Sequence, residues 1–277
     1  SVGTLANGIE TTVSNVAAQG SNGAVVVNDT TGNLTVTNLT TAKGAVAVTG
    51  VNAGTDACLI EGGGQIILDS TVVAAGNAAL SANGDIVFNT GNISATNASL
   101  ESTTGSVVDT NANVDVNATN LVALANGSVG SQANGLEVSV NNIAAQGTNG
   151  AVVVNDTTGN LTVTNLTTAK GAVGVVGINA GTNVCVETAG VLDVNSTVTG
   201  TAVVALRAGG DINLQGLVTA GQKISLESTG GSINDANGAN VNLIGNDQVL
   251  SAQQIGNGDA LEVQALNFAG RASAGNL

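Results

Sequence analysis

The chain has no proline, tryptophan, tyrosine, methionine or histidine, and only two phenylalanines in 277 residues. A globular core of this size ordinarily fills its irregular spaces with aromatic side chains, each of which buries a large area. Without them, the apolar 43% rests almost wholly on Ala, Val, Leu and Ile. Small, mainly branched residues of that kind suit thin layers of nearly constant width. Basic residues are also scarce: five Lys and Arg stand against 19 Asp and Glu, a net charge of −14. That excludes the basic footprint nucleic-acid binding requires, and an anionic membrane surface would repel the chain. No stretch reaches the roughly 18 uninterrupted apolar residues of a membrane span. The opening SVGTLANGIE lacks the basic and apolar regions of a signal peptide, so an export signal is expected to lie outside this segment or to have been removed. Charged residues are only 9% of a chain with ample apolar content, which argues against disorder.

What is present is repetition. Ala17 begins AAQGSNGAVVVNDTTGNLTVTNLTTAKGAV, and Ala144 begins AAQGTNGAVVVNDTTGNLTVTNLTTAKGAV, the same run with one substitution. Two long units are read at about 7–133 and 134–256, and a third opens at Asn257 with NGDALEV and runs to Leu277. The whole of 1–277 is expected to be one continuous piece of a longer array. A shorter period lies inside the long one. Gly84, Gly105 and Gly127 each precede a polar residue and an aliphatic one, and Leu80 and Leu100 are spaced as Leu206 and Leu226 are. A repeat of about 21 residues is too short to bury a core alone, so neighbours must stack.

Within the short repeat, apolar and outward positions alternate, as in Leu34-Thr35-Val36, Ile86-Val87-Phe88 and Leu136-Glu137-Val138. Alternation over a few residues, punctuated by Gly and Asn, predicts short half-buried strands joined by tight corners. The predicted fold is therefore all-β: a right-handed parallel β-helix, or β-solenoid, of about 21 residues per turn and roughly 13 turns. At ~4.8 Å per turn this is a rod of about 60 Å, and one long unit is about six turns, or about 29 Å. Stacked Asn side chains are placed to form ladders, and the lack of proline suits strands that are nearly all internal. A pair of β-sandwich domains is the rival fold, but it leaves the short spacing unexplained.

The runs ALSANGDIVF, SLESTTGSVVD and ALRAGGDINLQGLVTAGQKISLES resemble the haemagglutinin-type repeats of filamentous-haemagglutinin-like adhesins. LEVSVNNIAAQGTNGAVVVNDTTGNLTV is similar to units of giant bacterial β-strand-repeat surface proteins. The resemblance implies a parallel β-helix, an extracellular or cell-surface location, and a role in adhesion, aggregation or a fibrous coat. The secretion domain of such adhesins has no counterpart here, so the export route is not carried over.

Candidate sites are few. Cys58 and Cys185 occupy the same position in successive units, and polar neighbours at the alternate positions predict outward thiols. About 29 Å apart on the predicted rod, they lie far beyond the roughly 7 Å Cα limit of a disulfide. Any cross-link through them is expected to be intermolecular. Asp109, Asn111, Asn113 and Asp115 have the spacing of a calcium loop, but Val114 stands where such a loop needs glycine. They are read instead as polar residues on an outer strand face, and no metal or cofactor is expected. Catalysis is not expected either. Without His the usual nucleophile–base pairs cannot be drawn. Lys43 and Lys170 are equivalent residues of a repeated motif, and Arg207, Lys223 and Arg271 form no sequence cluster. A polysaccharide-degrading β-helix enzyme would need clustered basic groups or a carboxylate pair, and nothing singles out two of the 19 acids. The outward Thr35 and Thr37 recur only at Thr162 and Thr164, a whole long unit away, too rarely for an ice-binding array. The sequons at Asn28, Asn33, Asn38, Asn117 and Asn195 are what an Asn-, Ser- and Thr-rich chain produces by chance. The expected function is a rigid spacer or matrix filament that self-associates end to end or laterally. The alternative is an adhesin wall recognising a glycan or another cell.

Overall fold

The computed structural model describes residues 1–274 except 43, 45, 170 and 172. Among them the regular structure is entirely strand, wound into a parallel β-solenoid of about 12 turns. One turn shows the logic. Ala57–Glu61 forms the long strand, Ile66–Leu68 and Val72–Ala74 the two short ones, and Asn77–Ala82 opens the next turn. Each pairs in parallel with its counterpart one turn on: Leu59 with Leu80, Ile66 with Ile86, Val72 with Ile93. Alternation sends Ala57, Leu59, Ile66, Leu68, Val72 and Ala74 inward. Because the pairing is in register, every turn presents the same parity to the same lumen.

The lumen is one unbroken hydrophobic cluster from Val16 to Ile255. Phe88 is the largest fully buried side chain, and most rungs are filled by Val, Leu, Ile and Ala. Burying each larger aliphatic side chain is worth about 1.5–3 kcal/mol, and a layer of nearly constant width has no place for more aromatics. The expected Asn ladder is present on the outer side. Asn142 donates to Asn120 at 2.8 Å, Asn120 to Asn97 at 2.7 Å, Asn97 to Asn77 at 3.0 Å, and Asn77 to Asp56 at 2.9 Å.

Two features depart from the expectation. First, the repeated segment after Val36 and after Val163 leaves the wall as an antiparallel hairpin. The first hairpin joins Asn38–Thr40 to Ala47–Thr49, and the second joins Asn165–Thr167 to Gly174–Val176. The register steps across these turns, from Val27 to Leu59 and from Val154 to Val186, are half as long again as the ordinary step from Leu59 to Leu80. That extra length is why the chain makes about 12 turns rather than the 13 expected. Re-entry occurs at Gly50 and Gly177, with φ of 55° and 56°. A Cβ there would lie 2.1 and 2.0 Å from the carbonyl oxygens of Thr71 and Thr197, so glycine is required twice over.

Second, the long repeat is about five and a half turns, not six. The outward positions of the long strand rise in five steps through Val26, Cys58, Ala79, Ser99, Val122 and Ala144. Above Ala144 that wall is continued by Leu161–Val163 and Ile178–Ala180, which pair with Ile143 and Ala145. The long strand of the second repeat, Val152–Asp156, starts its own column elsewhere on the perimeter. The second hairpin therefore rises from the wall that carries the long strands of the first repeat.

Candidate functional site

The densest chemistry lies at the ends of strands, where the lumen meets a corner. Val107 faces inward, and two residues on, at the same parity, comes Asp109, in register with Phe88. Asp109 is 6% exposed and Asp115 1%. For the two acids this corrects the expectation of an outer polar face, whereas Asn111 is half-buried and Asn113 is exposed. The alternating run ends inside the rod because the inward parity falls on an acid. Asp109 accepts from the Asn111 amide N–H at 2.8 Å, and Asp115 from the Asn111 side-chain amide at 3.2 Å. Glu137, on the next turn, completes a group whose carboxylate oxygens lie within 4.8 Å of one another.

One oxygen of each of the three, Asp109 Oδ2, Asp115 Oδ2 and Glu137 Oε2, is buried without a hydrogen-bond partner. Two ionised carboxylates at 4.8 Å repel by roughly 3.5 kcal/mol at an effective dielectric of about 20. That exceeds the net worth of the single hydrogen bonds present. Burial, joined by the charges of Asp109 and Glu137, pushes the Asp115 carboxyl up to about 8. Burial and the neighbouring Asp109 push Glu137 up to about 7. The arrangement can be satisfied by holding protons near neutral pH, or by an oxygen-seeking cation in their place. Donor chemistry and spacing both fit a hard divalent ion.

The second repeat holds the same corner with one acid fewer, Asp235 and Glu262 standing where the first has Asp109 and Glu137. Asn242 replaces Asp115, and its side-chain amide donates to Asp235 at 2.9 Å. Its backbone N–H donates to the Glu262 carbonyl at 2.9 Å, as that of Asp115 does to Glu137 at 2.8 Å. A parallel substitution occurs at the end of the long strand. In the first repeat Asp29 and Glu61 face each other in register, both buried. Glu61 accepts from the Gly63 and Gly64 amides at 2.6 and 3.0 Å. Asp29 accepts from the Thr11 hydroxyl at 2.6 Å and the Val13 amide at 2.9 Å. Burial pushes Glu61 up, whereas for Asp29 the burial effect is outweighed by hydrogen bonds from Thr11 and Glu61 and its carboxyl is held low. Of the pair, Glu61 is the one whose protonation burial favours. In the second repeat Thr188 stands in place of Glu61 and donates to Asp156 at 2.9 Å. None of Asp29, Glu61 and Glu137 is singled out by a motif. The available signal was parity: in VVVND and ACLIE the terminal acid falls on the inward side.

The cysteines are placed unequally. Both lie on the outer side of the long-strand wall, as expected, but Cys58 is only 2% exposed while Cys185 is half-buried. Cys58 is covered because Val26, Ala79 and Ala169 of the second hairpin pack around it. A cross-link through Cys58 would require that cover to lift, so Cys185 is the accessible thiol. A groove of about 500 Å³ opens beside this cluster, lined among others by Leu5, Glu10, Asp56, Ile60 and Ala169. Of the cationic residues, Lys43 and Lys170 lie outside the described residues. Arg207 pairs with Glu187 and with Glu227, the latter at 3.3 Å. Arg271 shares that outer column, with Glu227 and Ser251 between them, and Lys223 sits beside Asp247. The structure builds no basic cluster from these three. In comparisons with known proteins, no family model, no curated protein and no solved structure matches the chain.

Proposed function

We propose that this chain is a structural repeat segment of an extracellular or cell-surface fibre, a stiff spacer without catalytic activity. The observation that carries this reading is the single lumen running from Val16 to Ile255, with no break between the two long repeats. Bending such a column would open in-register backbone pairings on one wall and expose packed aliphatic rungs, so stacking supplies length and stiffness together. About 12 turns at ~4.8 Å each give a rod of about 58 Å. Stacked Asn ladders outside and strand-end acids inside fix the register of the turns that carry them. The net charge of −14 favours solubility of a long polymer over collapse onto anionic surfaces. The sequence resemblance to adhesin repeats favours a bacterial surface filament, with lateral or end-to-end self-association and any glycan or cell recognition belonging to its wall.

Immunogold labelling with an antibody to this chain, on thin sections of cells of its source, tests the reading. Gold along filaments outside the envelope is the expected result, and label confined to the cytoplasm would refute it. A glycan array probed with the purified chain distinguishes spacer from adhesin, since saturable binding would assign recognition to the wall itself.

A further inference from the structure

The acid corner of the first repeat sets three carboxylates against one another, in the middle of the column and on successive turns. Asp109 ends the strand Val107–Asp109, Asp115 stands immediately before Val116–Ala125, and Glu137 lies in Leu136–Gly147, one turn on. Each offers an oxygen to a group that lies within 4.8 Å. Asp109 and Asp115 are more than nine-tenths buried, at 6% and 1% exposed, while half-buried Glu137 forms the open rim. On each of the two buried acids one oxygen, Oδ2, is shut away from water with no hydrogen-bond partner.

Elsewhere the chain answers a buried acid with neutral donors. Thr188 donates to Asp156 at 2.9 Å, and Glu61 accepts from two backbone N–H groups. The second repeat does the same at this very corner. Its loop is built alike: the Asn237 N–H donates to Asp235 at 2.8 Å, as that of Asn111 does to Asp109. There, however, the Asn242 side-chain amide donates to Asp235 at 2.9 Å and to the Leu214 carbonyl at 3.3 Å. Asp115, in the same place, is an acceptor only when ionised. The first corner therefore has one donor fewer and one charge more. Among the described residues, nothing in the protein supplies the missing partner.

We propose that Asp109, Asp115 and Glu137 form a calcium site inside the wall of the rod, present in the first repeat and absent from the second. A proton bridges two oxygens, whereas three acids facing one point need a centre that bonds to all of them. Calcium takes about six to eight oxygens at about 2.3–2.6 Å, so oxygens on its opposite sides stand about 4.6–5.2 Å apart. That range includes the 4.8 Å limit of this group. Magnesium, bonding at about 2.0–2.1 Å, spans about 4.2 Å at most and keeps several waters, for which a corner this buried has little room. A divalent charge offsets most of the three negative ones. Bound there, the ion joins both ends of the 110–114 loop to the following turn, a tie that backbone pairing alone does not supply. The site goes beyond the fibre reading and does not depend on it.

Equilibrium dialysis of the full chain against radiolabelled calcium, at pH 8 and physiological salt, tests the site. Wild type is expected to hold one ion per chain, Asp115→Asn none, and Asn242→Asp two. Each substitution installs at one corner the residue that the other corner already carries, and unchanged circular dichroism would show that both variants fold. Each alters the net charge of −14 by a single unit, so loose association with the acidic surface would hardly differ among the three proteins. Excess magnesium should leave the bound calcium in place. A wild type that binds no ion, or an Asp115→Asn variant that binds as many as wild type, would overturn the site. Ready displacement by magnesium would overturn the choice of calcium. An Asn242→Asp variant that gains no ion would overturn the claim that the third acid makes the site.

Discussion

Asp115 and Asn242 stand at the same corner of the two repeats, one an acid facing two other acids, the other an amide donating to Asp235 at 2.9 Å. The second repeat shows the corner with an amide between two acids, Asp235 and Glu262, and the first shows it with a third acid in the amide's place.

The charged corner predicts an unusual pH dependence. The folded-state values of Asp115 and Glu137, about 8 and about 7, lie above the ordinary carboxylate range, so the folded state binds more protons than the unfolded chain between them. Their contribution is fully present below about pH 4 and is lost as pH rises through 7 and 8. Stability should fall by on the order of 3 kcal/mol between pH 5 and 8. Asp115→Asn should flatten most of that slope. Urea unfolding followed by circular dichroism at several pH values checks it, and a slope unchanged in the variant would disprove the assignment.

A divalent cation should substitute for those protons. At pH 8, calcium at ten times its dissociation constant would stabilise by about 1.4 kcal/mol, raising the melting temperature. At pH 5, where protons occupy the oxygens, the effect should vanish. It should also vanish in Asp115→Asn. Melting curves with calcium and with chelator decide this, and an equal rise in the variant would place the ion elsewhere.

The two thiols should react at different rates although their repeats are nearly identical. Cys185 is half-buried, and burial and the charge of Glu187 push its thiol up; Cys58 lies under the second hairpin. Labelling with iodoacetamide at pH 8.5, read by peptide mass spectrometry, should modify Cys185 faster by roughly tenfold or more, since Cys58 must await a local opening. Val175→Arg, which dislodges the hairpin, should bring Cys58 close to the Cys185 rate.

Phe88 fills the lumen between Leu68 and the Asp109 rung. Phe88→Ala should cost about 3–5 kcal/mol, because in-register neighbours fixed on both sides cannot collapse into the void. Equilibrium denaturation measures it. A loss below about 1 kcal/mol would mean that the column yields more than close packing allows.

The architecture was legible because it is periodic. Leu34-Thr35-Val36 and Ile86-Val87-Phe88 carry the two-residue alternation that only a strand makes, and the short recurrence of Gly and Leu leaves stacking as the way to bury them. Asn97 and Asn120, one turn apart, already announced a ladder. The hairpins were not legible. Asn38-Leu39-Thr40 alternates like any wall strand, and its antiparallel pairing with Ala47–Thr49 depends on the turn between them, where Gly44 takes a positive φ and its N–H donates to the Thr41 carbonyl at 2.7 Å. The acid cluster was half legible: parity could have put Asp109 inside, but Glu137 joins it from the next turn, and no local pattern encodes that distance. Sequence determined the strand, the turn and the stack, because each is set by spacing along the chain. Only the tertiary structure decided the half-turn phase between repeats, and with it which column is covered. That phase is the remainder left when one long repeat is wound into turns of unequal length, a sum over every corner and excursion.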